Sequence, residues 1–524
     1  MIYTLGFAVL VFGLVGALLP DLKWKLGSQS VSIDPLSRLV PVGAVLWVGA
    51  LWTQSISAQA FFAQAFRDLV FLLGAAMLLK AVEGMGRYTV AAALLVAVGM
   101  VGVHHQRAAW SGKPPNEQEQ LTTGDMPGSA ALASDSELLV ELRPGTSLAV
   151  WQEWVAAQGW RTQQAFAPAD GAATDLDDYW LIDLPQAANW TAALQRIDEA
   201  ELADWAEPNE VIRLEVLPAR ITPPLNQKLG VDDPGVREQW ALGALQVEAL
   251  YELLTTREIP IRKRALVAIL DTGVDAQHED LRDNFRSISK KYDDDPRGHG
   301  THCAGIAGAV TNNGVGVASL ARSTEYFDIS SVKVLRAQGS GTQKDIIAGM
   351  IEAVDAGADV ISMSLGGFST QARQRAYNEA VRYANDKGCI VVAAAGNSNR
   401  DAATYTPVNA KGVIGVSAID AELQRAVFSN RVDRIGMAVA APGVGIYSTK
   451  PHNNYDSHNG TSMATPFVSG LLGLMKSIRP ELTTREAYSI LNRTGVATRN
   501  TAQTGKLIQP AAALSALLAE TAAH

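Results

Sequence analysis

An aspartate, a histidine and a serine in this chain of 524 residues each stand where a strand ends or a helix begins. Asp271 closes the run Val267-Ala268-Ile269-Leu270-Asp271-Thr272-Gly273, whose unbroken apolar residues predict a buried strand. His299, in Gly298-His299-Gly300-Thr301-His302-Cys303-Ala304-Gly305, opens a small-residue helix. Ser462 lies in Asn459-Gly460-Thr461-Ser462-Met463-Ala464-Thr465-Pro466, just before the apolar run Phe467 to Met475. Its hydroxyl would have the positive end of a helix dipole behind it. Taken alone, Ser462 or Thr461 reads as a helix cap. Beside the other two residues, Ser462 reads as a nucleophile: His299 takes its proton, and Asp271 fixes the imidazole tautomer and stabilises the imidazolium.

Two rival chemistries fail on residue count. Asp-Thr-Gly also marks aspartic proteases, which need a second such carboxylate, and the chain has no second Asp-Thr-Gly or Asp-Ser-Gly. His299 and His302 are three apart, as a metal pair would be, yet no glutamate follows in a zincin pattern and the chain has eight histidines in all.

These motifs closely resemble the subtilisin-like serine proteases, from about Asp232 to about Pro510. The resemblance implies a polypeptide substrate bound as an extended strand. It also implies an oxyanion donor, Asn397 in Ala393-Ala394-Ala395-Gly396-Asn397, with the backbone N–H of Ser462 beside it. Ser364, Leu365 and Gly366 resemble the segment lining the primary pocket, opposite Ala394, Ala395 and Gly396, and Gly339, Ser340 and Gly341 match the second strand flanking the peptide. Small walls imply broad specificity with apolar residues before the cut. Cys303 is at a position that is also cysteine in proteinase K-like members; packing is its expected role, with sensitivity to mercurials as a corollary. No cofactor is implied for the chemistry. Asp280 aligns with a calcium ligand of some members and Asn312-Asn313-Gly314 with its partner loop, but a solvated surface aspartate is the favoured reading of Asp280.

The positioning elements follow from periodicity. From residue 232 to 524 strands alternate with helices, which predicts an α/β fold: a subtilisin-like parallel sheet flanked by helices. Strands are expected at 265–270, 331–335, 359–363, 390–395 and 413–418, and helices from His299, near Gln343, near Gln371 and from Ser462. Residues 137–216 predict a small βαββαβ, ferredoxin-like domain whose last strand runs from 203 to 214. Its Glu207-Pro208-Asn209 resembles the end of subtilase propeptides, which implies a prodomain whose tail lies in the cleft; an unrelated ferredoxin-like module is the alternative. The Pro-rich 217–231 is expected to be an exposed, cleavable linker, and cutting there would release the protease from its anchor.

That anchor is expected in residues 1–104, a bundle of about four membrane helices at 2–19, 39–58, 61–82 and 88–103. The third carries Arg67 and Asp68 near its start and is also compatible with an interfacial segment. A cleaved signal peptide fits the first poorly: it lacks a basic start, and Leu18-Leu19-Pro20 is a poor cleavage site. Lys23, Lys25, Arg38, Lys80 and Arg87 place two loops in the cytoplasm, so the protease is expected outside the membrane. Residues 105–136, rich in Pro, Gly, Gln and Ser, form the expected tether.

A net charge of −9 without a basic stripe excludes a nucleic-acid partner. The expected partners are polypeptide substrates, the chain's own prodomain and a lipid bilayer. Cys303 and Cys389 are expected as buried free thiols or one disulfide. A pseudoprotease acting as a membrane-bound scaffold or peptide-binding module is the alternative function, opposed by the presence of all four catalytic residue types.

Overall fold

The computed structural model describes residues 23–26, 29–32, 137–185, 189–214, 217, 229–369 and 374–523. The chain divides into two compact units, Met1–Thr122 and Thr123–His524. In the first, the described residues form one antiparallel hairpin, Lys23–Leu26 with Gln29–Ser32, in the loop expected between the first two spans. The four expected spans and the tether at 105–136 lie outside the described residues. Among the described residues no helix is long and apolar enough to cross a membrane.

The second unit is built on a seven-stranded sheet in the order Lys506–Leu507, Ala438–Pro442, Val413–Ile419, Ile390–Ala394, Val360–Met363, Ala265–Asp271, Phe327–Lys333. Every neighbouring pair is parallel. Ala265–Asp271 is the first of these strands in the chain. The next joins on one side of it and the one after on the other, so the order reverses beside Asp271, where α/β sheets open a crevice. Successive residues of this strand serve opposite faces. Ala265, Val267 and Ile269 join a core with the helices His299–Gly308 and Thr461–Ile478; Leu266, Ala268 and Leu270 join another with Gln343–Asp355 and Arg375–Asp386. Covering both faces removes the polar alternation, which is why the strand reads as one apolar run. The second strand runs from Phe327 to Lys333, not from 331 to 335. Its buried Ser330 and Ser331 interrupt the apolar pattern that sequence reading relies on.

The small domain has the expected βαββαβ order. Its antiparallel sheet runs Arg161–Gln164, Tyr179–Asp183, Glu137–Leu142, Ala203–Pro208, backed by the helices Leu148–Ala157 and Trp190–Glu199. All six residues of Glu137–Leu142 are buried. Leu138, Val140 and Leu142 pack on the domain's own Trp151, Val155 and Ile197. Leu139, on the other face with Tyr179 and Leu181, enters the core containing the Gln343 and Arg375 helices. The small sheet is therefore sandwiched between its own helices and those of the large domain.

One expectation is corrected. The strand expected at 203–214 breaks in two: Pro208 offers no N–H to continue the ladder, and Val211–Arg213 leaves the sheet to pair antiparallel with Ser340–Thr342 of the large domain. Of the expected linker at 217–231, Gly230 is exposed and Leu217 and Val231 are half-buried. Leu217 bridges Asn459, and Leu229 is buried in the large core; residues 218–228 lie outside the described residues.

Candidate active site

Asp271, at the carboxyl end of its strand, is fully buried. His299, first residue of its helix, places Nδ1 2.8 and 2.9 Å from the two Asp271 carboxylate oxygens. Gly300 permits this approach, since a Cβ there would lie 2.1 Å from the Gly273 carbonyl oxygen and 3.0 Å from Asp271 Cβ. Burial opposes a charged imidazole, but the Asp271 carboxylate outweighs it and holds His299 well above its ordinary pKa.

Ser462 occupies the first turn of Thr461–Ile478. Its Oγ donates to the Ser364 carbonyl at 2.9 Å, and Ser364 Oγ donates in return to the Ser462 carbonyl at 2.7 Å. Pro466 explains the second bond. Four residues on, it has no N–H to offer the Ser462 carbonyl, so that oxygen is satisfied from outside the helix by Ser364 Oγ and, at 3.5 Å, by Cys303 Sγ. Cys303 Sγ also lies 4.0 Å from His299 Nδ1. The thiol thus packs between the helices that carry His299 and Ser462, and burial pushes its pKa up, keeping it protonated. Both cysteines are free and buried, which settles the choice between free thiols and a disulfide.

Asn397 is oriented by Thr461, whose N–H and hydroxyl both donate to Asn397 Oδ1, at 2.8 and 2.9 Å. Spending the amide oxygen on Thr461 fixes the amide orientation and leaves Nδ2 as the side chain's donor. Gly396, at a φ of 97°, donates its N–H to the same Thr461 hydroxyl. The two expected walls come together: a Cβ on Gly366 would lie 3.9 Å from the Ala394 carbonyl oxygen. Leu365 is buried behind them and Ala395 is held by a bond from Asn430 Nδ2 to its carbonyl.

The cleft is lined by the chain itself. Ser340, Gly341 and Thr342 pair with Arg213, Ile212 and Val211, and the Leu214 N–H donates to the Gly339 carbonyl at 2.8 Å. Ile212 Cδ1 would lie 2.8 Å from a Cβ on Gly367, so the strand runs between both expected substrate walls. Leu217 then bridges Asn459, three residues before Ser462.

Sequence reading found Glu207-Pro208-Asn209 without its physical role. Asn209 Oδ1 accepts the Lys344 N–H at 2.9 Å, at the start of the Gln343 helix. Glu207 accepts the N–H groups of Arg375 and Ala376, at the start of the next, and takes Gln343 Nε2 at 2.8 Å. One short segment caps two helices of the large domain, satisfying N–H groups that a helix leaves unpaired.

The structure corrects the reading of Asp280 as a solvated aspartate: it is fully buried. It accepts Val317 N–H at 2.8 Å and Asn313 Nδ2 at 3.0 Å. Burial, with Asp233 and Glu279 nearby, pushes its carboxyl up to about 7. A second buried carboxylate, Asp233, holds the same loop through the N–H groups of Asn312 and Asn313. Asp280 and Asp233 thus hold one loop from two sides, with no cation among the groups that set the Asp280 pKa. The rival pair His299 and His302 does not converge. His302 Nε2 lies 3.0 Å from the Asp456 carbonyl oxygen, and its ring stacks on His458 at 4.3 Å. Among the described residues, the metal-competent trio is instead Asp271, His299 and Cys303, with ligand atoms within 4.8 Å of one another.

Residues 262–511 match the peptidase S8, or subtilase, family. Thermitase of Thermoactinomyces vulgaris is 44% identical over 218 residues, covering 41% of this chain and 75% of thermitase. The chain belongs to the subtilase family. Among other subtilases, subtilisin DY of Bacillus licheniformis is 41% identical over 237 residues, 44% of this chain and 82% of its own. The thermophilic serine proteinase of Bacillus sp. strain AK1 is 43% identical over 216 residues, 40% of this chain and 52% of its own. Membership of the subtilase family makes this chain a serine endopeptidase, a hydrolase of polypeptides.

Proposed function

We propose that the chain is a membrane-tethered subtilase made as a self-inhibited precursor. Ser462 attacks the peptide carbonyl while His299 takes its proton and Asp271 holds the imidazolium; Asn397 Nδ2 and the Ser462 N–H receive the oxyanion, and His299 returns the proton to the leaving amine. In the resting arrangement the Ser462 hydroxyl proton goes to the Ser364 carbonyl, and a rotation about its Cα–Cβ bond frees it. Such bonds commonly tighten onto the base only with substrate in place.

The observation that carries the precursor reading is the pairing of Val211–Arg213 with Ser340–Thr342, followed by the Leu217 bridge to Asn459. A strand that enters along one substrate wall and leaves beside the nucleophile lies as a substrate would. Cleavage by Ser462 is then expected between Leu214 and Leu217, just before the expected linker. The tether rests on the apolar segments of residues 1–104 and their basic loops. Calcium fits as a structural ion held by Asp280, Asp233 and oxygens of the Asn312-Asn313-Gly314 loop. It would neutralise two buried carboxylates and take no part in the chemistry.

The test is to express the full chain and Ser462→Ala in membranes, map fragments by intact mass and probe with a serine-directed fluorophosphonate. Serine-dependent cutting between Leu214 and Leu217 is the expected result. Labelling without cutting would leave a permanently tethered protease, and neither event in a folded protein would remove the catalytic reading.

A further inference from the structure

One buried carboxylate outside the triad receives five hydrogen bonds. Asp295, 5% exposed, accepts the N–H groups of Arg297, Gly298 and Thr301 at 3.2, 2.8 and 2.8 Å. It also accepts the hydroxyls of Thr272 and Thr301, both at 2.8 Å. These donors belong to two elements. Gly298 and Thr301 flank His299 in the first turn of its helix, where the N-cap residue, Gly298 at a φ of 84°, has no side chain to cap with. Thr272 follows Asp271 at the end of the strand, and its N–H donates to Asp271 Oδ1 at 2.8 Å. Thr272 closes the circuit: its hydroxyl donates to Asp295 and accepts the Gly300 N–H at 3.1 Å. Thr301 Oγ1 likewise accepts the Asp275 N–H at 3.0 Å, tying the helix to the loop after the strand.

We propose that Asp295 is a positioning residue for catalysis: with Thr272 it locks the helix that carries His299 to the strand that carries Asp271. Every group bonded to Asp295 is a donor, so the site calls for an acceptor on both oxygens. An amide cannot supply that. In Asp295→Asn one side of the group becomes a donor, facing either the Thr301 pair or the Thr272 side, and the first turn of the helix must move. The catalytic consequence is loss of register between imidazole and carboxylate, and displacements of about 1 Å cost about 100-fold in rate.

The inference rests on the reading of Asp271, His299 and Ser462 as the reacting triad, and its test separates the two. In the processed enzyme, active sites are counted by fluorophosphonate labelling, and kcat, KM and the pH profile are measured per labelled site. Asp295→Asn is expected to lower kcat about 100-fold with KM little changed, and to move the acidic limb of activity down in pH as His299 loses its close carboxylate. Thr272→Val, which leaves the Asp295 bonds to Gly298 and Thr301 but removes the link to the strand together with the acceptor of the Gly300 N–H, is expected to shift both quantities the same way, and Thr272→Ser to restore them. If Asp295→Asn does not fold, the Thr272 pair decides alone. Lower thermal stability or fewer labelled sites, with kcat per site and acidic limb unchanged in every variant that folds, would overturn the proposal. A wild-type enzyme that takes no label fails the triad reading itself, whatever the variants do.

Discussion

On the proposed mechanism His299 must be neutral to accept the serine proton, so the carboxylate beside it would set the pH at which the enzyme works. Asp271 holds the imidazole well above its ordinary pKa of 6.5, so the acidic limb of kcat/KM is expected above that value. Asp271→Asn should move the limb down in pH and lower kcat about 10⁴-fold, the size of loss that the same substitution causes in the chymotrypsin-type triad and close to that of removing the aspartate in subtilisin itself. Asn397→Ala is expected to cost about 10²–10³ in kcat with KM nearly constant, again the magnitude of this donor in subtilisin itself; steady-state kinetics on a short peptide ester checks both. At this scale much was legible: Asp271, His299, Ser462 and Asn397 lie in contiguous motifs, and the structure brings Asp271 onto His299 and Asn397 onto Thr461. Asp295 and Thr272 were not, since nothing in the last of three consecutive aspartates, four residues before a histidine, says that five donors converge on it. Asp280 was misjudged for the same reason: an aspartate in a polar run looks solvated until the Val317 loop closes over it.

At the level of elements, Glu207-Pro208-Asn209 holds the small domain to two helices at once. Removing a cap costs about 1 kcal/mol, or roughly fivefold in an equilibrium. Glu207→Ala and Asn209→Ala in the uncut chain are each expected to raise the initial rate of fluorophosphonate labelling by at least that factor, because the cleft is free more of the time. Ile212→Asp should raise it further, since a carboxylate would have to enter an apolar pocket. Labelling rates equal to wild type in all three would mean that this segment does not control access. The βαββαβ order was readable from periodicity, whereas the departure of Val211–Arg213 from its sheet was not. Val211, Ile212 and Arg213 continue a strand pattern equally well in either partnership, and the choice belongs to Ser340–Thr342, more than a hundred residues away.

Across the whole catalytic unit, burying acids couples stability to pH. Glu137 faces its own domain's Asn209 and Asp183 and, on the neighbouring helix, Lys344 and Asp345; burial chiefly pushes its carboxyl up to about 7 from an ordinary 4.5. A carboxyl whose pKa is raised by folding binds its proton more tightly in the folded state. Its cost is absent below about 4.5, grows as pH rises through the window from 4.5 to about 7, and is constant above. In the full-length Ser462→Ala protein, Glu137→Gln is therefore expected to gain thermal stability relative to its parent on going from pH 5 to pH 8; a pH-independent difference would count against this. Asp280 has the same sign, so added calcium should raise the melting temperature more at pH 8 than at pH 5.5, and a chelator should reverse the gain. The covalent continuity of the strand in the cleft has a further consequence, for concentration. On the proposed precursor reading, Val211–Arg213 faces its groove before cutting at an effective concentration on the order of millimolar, set by a short connection, and diluting the protein changes nothing. Once cut, the same strand becomes an ordinary ligand whose occupancy falls with dilution. A thin suspension of processed molecules should thus become active sooner than a dense one, and crowding on a membrane would prolong the silence.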